Sequence, residues 1–150
     1  HEAADLEPCL EAAEEEAKKE NLETWSTLYC LTLWLGMVLL TPFDLSTIDS
    51  GHESRNSLSD RIFSLALQGL RSTSRTRDAS AWMLAKFFGR PDVSGTGLLQ
   101  SFVTWTRDAW VDQTKSVTAQ AFVKSGALQA WNQTLKLAPR SVMSGLWTQV

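Results

Sequence analysis

The sequence predicts an all-α protein built as an array of paired helices. Apolar residues recur at helical spacing over most of the 150 residues. No run of alternating apolar and polar residues is bounded by turn pairs, so strands are not supported. The predicted helix starts, near positions 57, 76, 96 and 114, lie about 20 residues apart, so a helix pair recurs about every 40 residues. That period is typical of HEAT and armadillo-like repeats, and we expect a solenoid of about six helices.

Residues 1–20 form an acidic leader with eight acids and two lysines. Alternating Ala and Glu favour a helix, but Leu6 and Leu10 are the main apolar anchors, so we expect a solvated helix or a frayed linker. Residues 21–150 hold nine acids and twelve bases and are predicted to form the repeat segment. That basic excess is too small for a nucleic-acid-binding surface.

The most apolar stretch runs from Trp25 to Leu40 and carries no charge. Its large apolar residues fall on every side of a helix, which predicts a helix buried all round and organising the fold. Pro42 should stop it, because a proline pushes the preceding residue out of the helical region. The stretch is shorter than the ~20 residues that a membrane span requires, so we expect no membrane insertion. The membrane alternative predicts a chain that needs detergent.

The remaining elements follow from capping and stop signals. Residues 49–56 lack apolar side chains and predict an exposed loop. Ser57 and Asp60 have the spacing of a capping box and open a helix that continues to Leu70. A further helix is predicted from a Thr76 cap to Phe88, and Gly89 and Pro91 end that helix. Another is predicted over residues 96–111. The last two are predicted after an Asp112 cap, with a break at 125–126, and after Pro139.

Residues with catalytic or metal-binding chemistry are few. Cys9 and Cys30 predict free thiols in a reducing compartment, and no secretory signal precedes the fold, so we expect a cytoplasmic protein. One interpretation makes Cys30 a catalytic nucleophile and His52 its base. We favour the alternative that Cys30 is a buried, unreactive thiol. The histidines lack metal-ligand spacing, and Gly95-Thr-Gly97 is not a phosphate loop, so neither metal nor cofactor is expected.

Arginines in polar segments are the candidate partner contacts. Arg71 and Arg75 flank a serine-rich turn, and Arg55 lies in the polar loop. A solvated surface is the alternative interpretation of all three. Arg77 and Asp78 open a helix and are interpreted mainly as an ion-pair ladder that fixes the register of neighbouring helices. Trp25 and Trp34 have the spacing of core residues, although Trp and Arg are also favoured at interfaces.

Several short motifs together resemble one family. They are Leu33-Trp34-Leu35, Thr41-Pro-Phe-Asp-Leu-Ser46 with Ile48-Asp49, Arg77-Asp-Ala-Ser-Ala81, Leu84-Ala-Lys-Phe87, Arg90-Pro-Asp-Val93 and Phe122-Val-Lys-Ser-Gly-Ala-Leu-Gln129. In order and spacing they resemble the tubulin-folding cofactor D family over about Trp25 to Arg140. The acidic leader lies outside the likeness. The absence of an initiator methionine also suggests a piece of a longer chain, and the resemblance implies the N-terminal half of the solenoid.

The resemblance implies a non-enzymatic chaperone of the cytoplasm, associated with the cytoskeleton. Its implied partners are β-tubulin, tubulin cofactors E and C and an Arf-like small GTPase. The family assembles and takes apart the α/β-tubulin heterodimer, and its joint complex stimulates GTP hydrolysis by tubulin. Pro42, Phe43 and Asp44 are then a helix stop, a core plug and a turn cap. Since tubulins are acidic, Arg55, Arg71 and Arg75 are expected to steer the encounter.

Two alternative functions come from other classes. Another HEAT scaffold, such as a transport or trafficking adaptor, predicts binding to a different cargo. An enzyme built around Cys30 predicts that this thiol reacts with alkylating reagents in the folded protein.

Overall fold

The computed structural model describes residues 2–19, 23–48 and 57–147, which contain eight α-helices, a short 3-10 turn and no strand. The helices are α1 (Leu6–Lys18), α2 (Trp25–Val38), α3 (Leu45–Ile48), α4 (Leu58–Leu70), α5 (Thr76–Phe88), α6 (Leu98–Val111), α7 (Val117–Leu137) and α8 (Arg140–Trp147). The all-α prediction is confirmed. Six helices lie where the sequence predicts them: α4 to α7 follow the repeat spacing, α2 lies in the apolar stretch, and α8 follows Pro139. The others are α1, in the leader, and the single-turn α3. The polar loop 49–56 lies outside the described residues.

Helix α5 is the centre of the fold. It packs against α2 on one side, α4 on another and α7 on a third. Its side chains are buried around the whole circumference, including Met83, Leu84, Phe87 and Phe88. Ala79, Ala81 and Ala85 are also fully covered, since small side chains allow the neighbouring helices to approach closely.

Helix α2 is not buried all round, so that prediction is wrong. Its inner face places Leu35, Gly36 and Val38 against α1 and α5. Its outer face leaves Trp34 42% and Met37 49% exposed. Among the described residues no further helix covers that face, and the apolar composition of α2 therefore exceeds what its two neighbours can bury.

Helix α1 packs into the core, in contrast to the expected solvated or frayed leader. Its buried residues, Leu6, Cys9, Leu10, Ala13 and Ala17, form one stripe at helical spacing. Its acidic face is tied to α4 by Arg61, which donates to Glu14 at 2.7 and 3.1 Å and lies 3.6 Å from Glu7. The two leucines alone would form too short an apolar stripe, and the small side chains of Cys9, Ala13 and Ala17 extend it along the helix.

Two glycines allow close helix contacts. A Cβ atom at Gly36 would lie 2.4 Å from the ring of Trp82, so α2 meets α5 at this point only without a side chain. A Cβ atom at Gly126 would lie 2.1 Å from the carbonyl oxygen of Leu70, at the end of α4. The break predicted at 125–126 is wrong, because α7 runs unbroken through Gly126 and uses the glycine for packing.

The capping predictions met different outcomes. Ser57 caps α4 as predicted, accepting a hydrogen bond from the Asp60 N–H at 3.2 Å. Thr76 is instead a buried first residue of α5, and its N–H donates to Ser74. Asp112 caps the turn at Thr114, while Ser116 caps α7. At α7 the Ser116 hydroxyl therefore takes the capping position, whereas the N-cap residue of α5, Arg75, makes no capping hydrogen bond with its side chain.

One continuous core runs from α1 to α7. An aromatic cluster joins its last four long helices: Phe88 lies 5.6 Å from Phe102, and Phe102 lies 4.9 Å from Trp131, measured between ring centroids. Phe63 of α4 contacts the same cluster through Phe88. No helix in the described part of the chain is both long and apolar enough to cross a membrane.

Candidate partner-binding site

The turn between α4 and α5 carries the arginines that the sequence singled out. Arg71 and Arg75 are exposed at its two ends. Between them the hydroxyls of Ser72 and Ser74 lie 2.8 Å apart, and each also accepts a backbone N–H. This network orders the turn, so the two arginines project from a defined backbone and not from a loose loop. The third predicted contact, Arg55, lies outside the described residues.

Cationic side chains around this turn lie over aromatic rings. Arg71 lies 5.8 Å from the ring of Trp105, and Arg77 lies 5.9 Å from the ring of Phe122. On α7, Lys124 lies 6.0 Å from the ring of Trp110. We call this set, Arg71, Arg75, Arg77 and Lys124 with Trp105, Trp110 and Phe122, the basic-aromatic surface. Arginine and large aromatic side chains are enriched at protein interfaces, because they offer wide contact area with directed charge.

Arg77 does not take part in the predicted ion-pair ladder. Its Nε donates to the amide oxygen of Gln129 at 3.1 Å, which ties the start of α5 to α7. Asp78 is exposed on the next position and makes no ion pair with Arg77 in the described chain. Arg77 therefore links α5 to α7 through the neutral Gln129 amide and the Phe122 ring, and not through an ion pair.

A cavity of about 740 Å³ opens beside the same turn. Its polar wall includes Arg71, Ser72 and Gln68, and its apolar wall includes Trp25 and Leu28. Trp25 is 39% exposed, and its carbonyl accepts a hydrogen bond from the Thr76 hydroxyl at 3.4 Å. The predicted structural Trp25 thus borders a groove, and its ring meets Tyr29 edge-on at 6.2 Å.

Arg90 is the residue that the sequence interpretation left out of its site set. Only 7% exposed, it donates to the carbonyls of Leu39 at 2.5 Å and Thr41 at 3.3 Å, and also to that of Phe43. Its guanidinium lies 4.9 Å from the Phe43 ring and is paired with Asp92 at 2.9 Å. The signal was present in the Arg90-Pro-Asp-Val93 motif directly after α5, but charge in such a position suggests solvent exposure.

Asp92 completes this clamp on the far side. Its Oδ2 accepts the N–H of Leu45, the first residue of α3, at 2.9 Å. Burial raises the pKa of the Asp92 carboxyl, but the hydrogen bonds from Arg90 and Leu45 outweigh that effect, so the pKa lies below its ordinary value. Arg90 and Asp92 together hold the segment between α2 and α3 against the end of α5.

The other predicted structural residues surround this clamp. Pro42 is exposed and lies four residues after Val38, the last residue of α2. The helix therefore ends several residues before the proline. Phe43 is half-buried against the core, and Asp44 accepts the N–H of Ser46 at 2.9 Å. Pro91 is exposed between the two clamp residues. A second cavity, of about 560 Å³, is lined by this segment and by Leu137 and Pro139.

The two thiols occupy the reverse of their predicted environments. Cys9 is buried and donates to the carbonyl of Leu31 at 3.6 Å, whereas Cys30 is exposed on the outer face of α2. Burial raises the pKa of the Cys9 thiol to about 11, and the Asp5 carboxylate adds to the shift. Position 52, the other half of the catalytic alternative, lies outside the described residues. Within the described ranges no group of three or more His, Cys, Asp or Glu side chains could hold a metal ion.

Comparison with known proteins indicates a relationship over most of the chain. A family model described as "Tubulin-specific chaperone D-like, ARM repeat" matches residues 1–110. Tubulin-folding cofactor D of Schizosaccharomyces pombe is 29% identical over 118 residues, which cover 79% of this chain and 10% of that protein. Tubulin-specific chaperone D of Dictyostelium discoideum is 28% identical over 102 residues, covering 57% and 7%. The chain thus spans about a tenth or less of these relatives. No solved structure matches significantly.

Proposed function

Because this chain belongs to the tubulin-specific chaperone D-like ARM-repeat family, we propose that it is one segment of a tubulin-folding chaperone scaffold. In this proposal the scaffold binds β-tubulin and takes part in assembly and disassembly of the α/β-tubulin heterodimer. The matched relatives are named tubulin-folding cofactor D and tubulin-specific chaperone D, which supports the proposal. The segment contributes surface to that activity and not a catalytic centre.

The basic-aromatic surface is the observation that carries this proposal to particular residues. Exposed Arg71 and Arg75 stand on an ordered turn, so their charges are presented without a large ordering cost on binding. An acidic protein such as tubulin is attracted to them at long range, and salt weakens that attraction. We assign Arg55 the same steering role in the polar loop.

The proposal extends to the wider assembly, with the same family membership as its support. We propose that the full-length protein works with tubulin cofactors E and C and an Arf-like small GTPase, in the cytoplasm and in association with the cytoskeleton. Stimulation of GTP hydrolysis by tubulin is a property of that assembly. A helical array suits this role, since it offers an extended surface to a folded subunit and requires no cofactor.

The test is a calorimetric titration of purified α/β-tubulin with this chain at low and high salt. We expect binding that weakens as salt rises. The double variant Arg71→Glu and Arg75→Glu should weaken binding about tenfold or more at low salt, and by less at high salt. The double reversal Lys136→Glu and Arg140→Glu, at exposed positions away from the turn, changes the net charge by the same amount; it is the matched control and should bind as the parent does.

The outcomes separate the possibilities. Equal losses in the double variant and in the control would assign the effect to total charge and not to the turn. If a helical, monomeric chain binds no tubulin, then this segment does not contact tubulin, and an adaptor role toward another cargo gains support.

A further inference from the structure

Thr73 differs from the other hydroxyl side chains of the turn between α4 and α5. Thr76 is buried and donates to the Trp25 carbonyl, and Ser72 and Ser74 are half-buried and bonded to each other. Thr73 is exposed, and its hydroxyl makes no hydrogen bond with the described residues. Of the four hydroxyls in this described segment, Thr73 alone is therefore both accessible and uncommitted.

The charge around Thr73 is strongly positive. Arg71 precedes it by two positions, and Arg75 and Arg77 follow by two and four. The segment from 71 to 77 contains no acid. Guanidinium groups bind phosphate with two parallel hydrogen bonds, so a phosphate on Thr73 would lie among its preferred partners. The same arginines offer the charge by which arginine-directed protein kinases recognise a substrate segment through acidic side chains.

We propose that Thr73 is a phosphorylation site for an arginine-directed serine/threonine kinase. The Thr73 Oγ1 attacks the γ-phosphorus of Mg-ATP, the bond from that phosphorus to the bridging oxygen breaks, and ADP leaves. The hydroxyl proton passes to the kinase base and then to water. The product is a phosphothreonine ester in the centre of the basic turn.

The modification changes the charge on which partner contact depends. The phosphate carries about −1.5 to −2 charges at neutral pH, so it offsets about half to two-thirds of the positive charge of Arg71, Arg75 and Arg77. The exposed Arg71 and Arg75 would then bind the phosphate within the chain and be less available to an acidic partner. This consequence rests on the proposed function: phosphorylation releases, or prevents, the contact with tubulin.

The first experiment maps phosphate on the folded chain. The chain is incubated with an arginine-directed kinase and Mg-ATP, and the modified residue is identified by mass spectrometry of peptides. We expect phosphate on Thr73, its loss in the isosteric variant Thr73→Val, and its retention in Ser74→Ala. A synthetic peptide of residues 68–80 controls for kinase activity.

Three results would overturn the assignment. Phosphate on Ser72 or Ser74 would show that hydrogen bonding does not decide access. Phosphorylation of the peptide but not of the folded chain would show that the fold hides Thr73. Modification of neither would show that the arginines do not recruit such a kinase.

The second experiment measures the consequence for binding. The phosphorylated chain and the unmodified chain are each titrated with tubulin at low salt, and we expect phosphorylation to raise Kd about three- to tenfold. A chain that is modified at Thr73 and binds equally well contradicts the regulatory role. If the unmodified chain does not bind, the proposed function fails, while the phosphate map still decides the site.

Discussion

Helices α2 and α5 lie side by side, and the more apolar of the two is the less buried. Helix α2 contains no charged residue and leaves Trp34, Met37 and Leu40 largely exposed along or just beyond its outer face. Helix α5 contains Arg77, Asp78 and Lys86, yet its Met83, Leu84 and Phe87 are completely covered.

The difference lies in the number of neighbours. Helix α5 is enclosed by α2, α4 and α7, and its alanines allow all three to approach. Helix α2 has α1 and α5 as its main neighbours. Whether a helix is buried depends on its position in the fold. Its composition determines only the free energy gained if it is buried, roughly 1.5–3 kcal/mol for each large apolar side chain.

The largest effect is expected where the ends of the two helices are tied together. Arg90→Met removes the donor to the Leu39 and Thr41 carbonyls and leaves Asp92 without its cation. We expect a loss of about 3–5 kcal/mol in the free energy of unfolding, because the carbonyls of Leu39, Thr41 and Phe43 lose their donor at about 1–3 kcal/mol each and the half-buried Asp92 loses its cation. Urea denaturation measures it. The exposed Arg140→Met is the control, and equal losses in both variants would contradict the clamp.

A matched pair of methionines tests the comparison directly. Met83 of α5 is fully buried, and Met37 of α2 is 49% exposed. We expect Met83→Ala to lower the free energy of unfolding by about 2–5 kcal/mol through the lost contacts and the cavity. Met37→Ala should change it by about 0.5 kcal/mol or less. Comparable losses would mean that the outer face of α2 is covered in solution, and sedimentation would then identify self-association.

Two glycines, one at a helix contact and one in open space, test how closely α4 and α7 pack. Gly126→Ala places a methyl group 2.1 Å from the Leu70 carbonyl oxygen, so α7 must move away from α4. We expect a loss of about 1–3 kcal/mol, measured by thermal unfolding. Gly95→Ala is the control, since nothing lies within 4 Å of the added carbon. A neutral Gly126→Ala would show that the contact between α4 and α7 is loose.

Alkylation of the two thiols tests which helix faces are covered: Cys9 lies on the buried face of α1 and Cys30 on the outer face of α2. Of the changes considered, substitution of these thiols is expected to alter the free energy of unfolding least. At pH 8 an alkylating reagent should modify Cys30 rapidly and Cys9 only on unfolding. The variants Cys30→Ser and Cys9→Ala identify each thiol by mass. Rapid modification of Cys9 in the folded chain would contradict the packing of α1.

The same thiol gives a pH dependence with a definite sign. Burial raises the pKa of Cys9 from its ordinary 9.0 to about 11, so folding favours the neutral thiol. Its contribution to stability is therefore complete below pH 9.0 and is lost as pH rises toward about 11. Cys9→Ala should remove this part of the alkaline profile, and an unchanged profile would contradict the burial.

Local signals predicted the elements well. Helical spacing located the long helices, and the Ser57 cap was predicted because a serine followed by an acid three residues on is a local arrangement. The turn with Arg71 and Arg75 was also identified, since a charged serine-rich stretch between two helical patterns depends on nearby residues alone.

Contacts between distant residues were not accessible in that way. Arg90 bonds carbonyls about fifty positions earlier in the chain, and nothing in its own neighbourhood reveals that it is buried. The exchange of environments between Cys9 and Cys30 has the same cause. Apolar neighbours in sequence predicted a buried Cys30, but its side chain lies on the uncovered face of α2.

The sequence by itself determined the all-helical class, the repeat spacing, most helix boundaries and the family, because each depends on periodicity or on short motifs. The tertiary structure decided that α5 and not α2 is the centre, that α1 packs into the core and that Arg90 is a clamp. Those outcomes depend on which helices become neighbours, and that choice is made by the summed fit of many side chains that lie far apart along the chain.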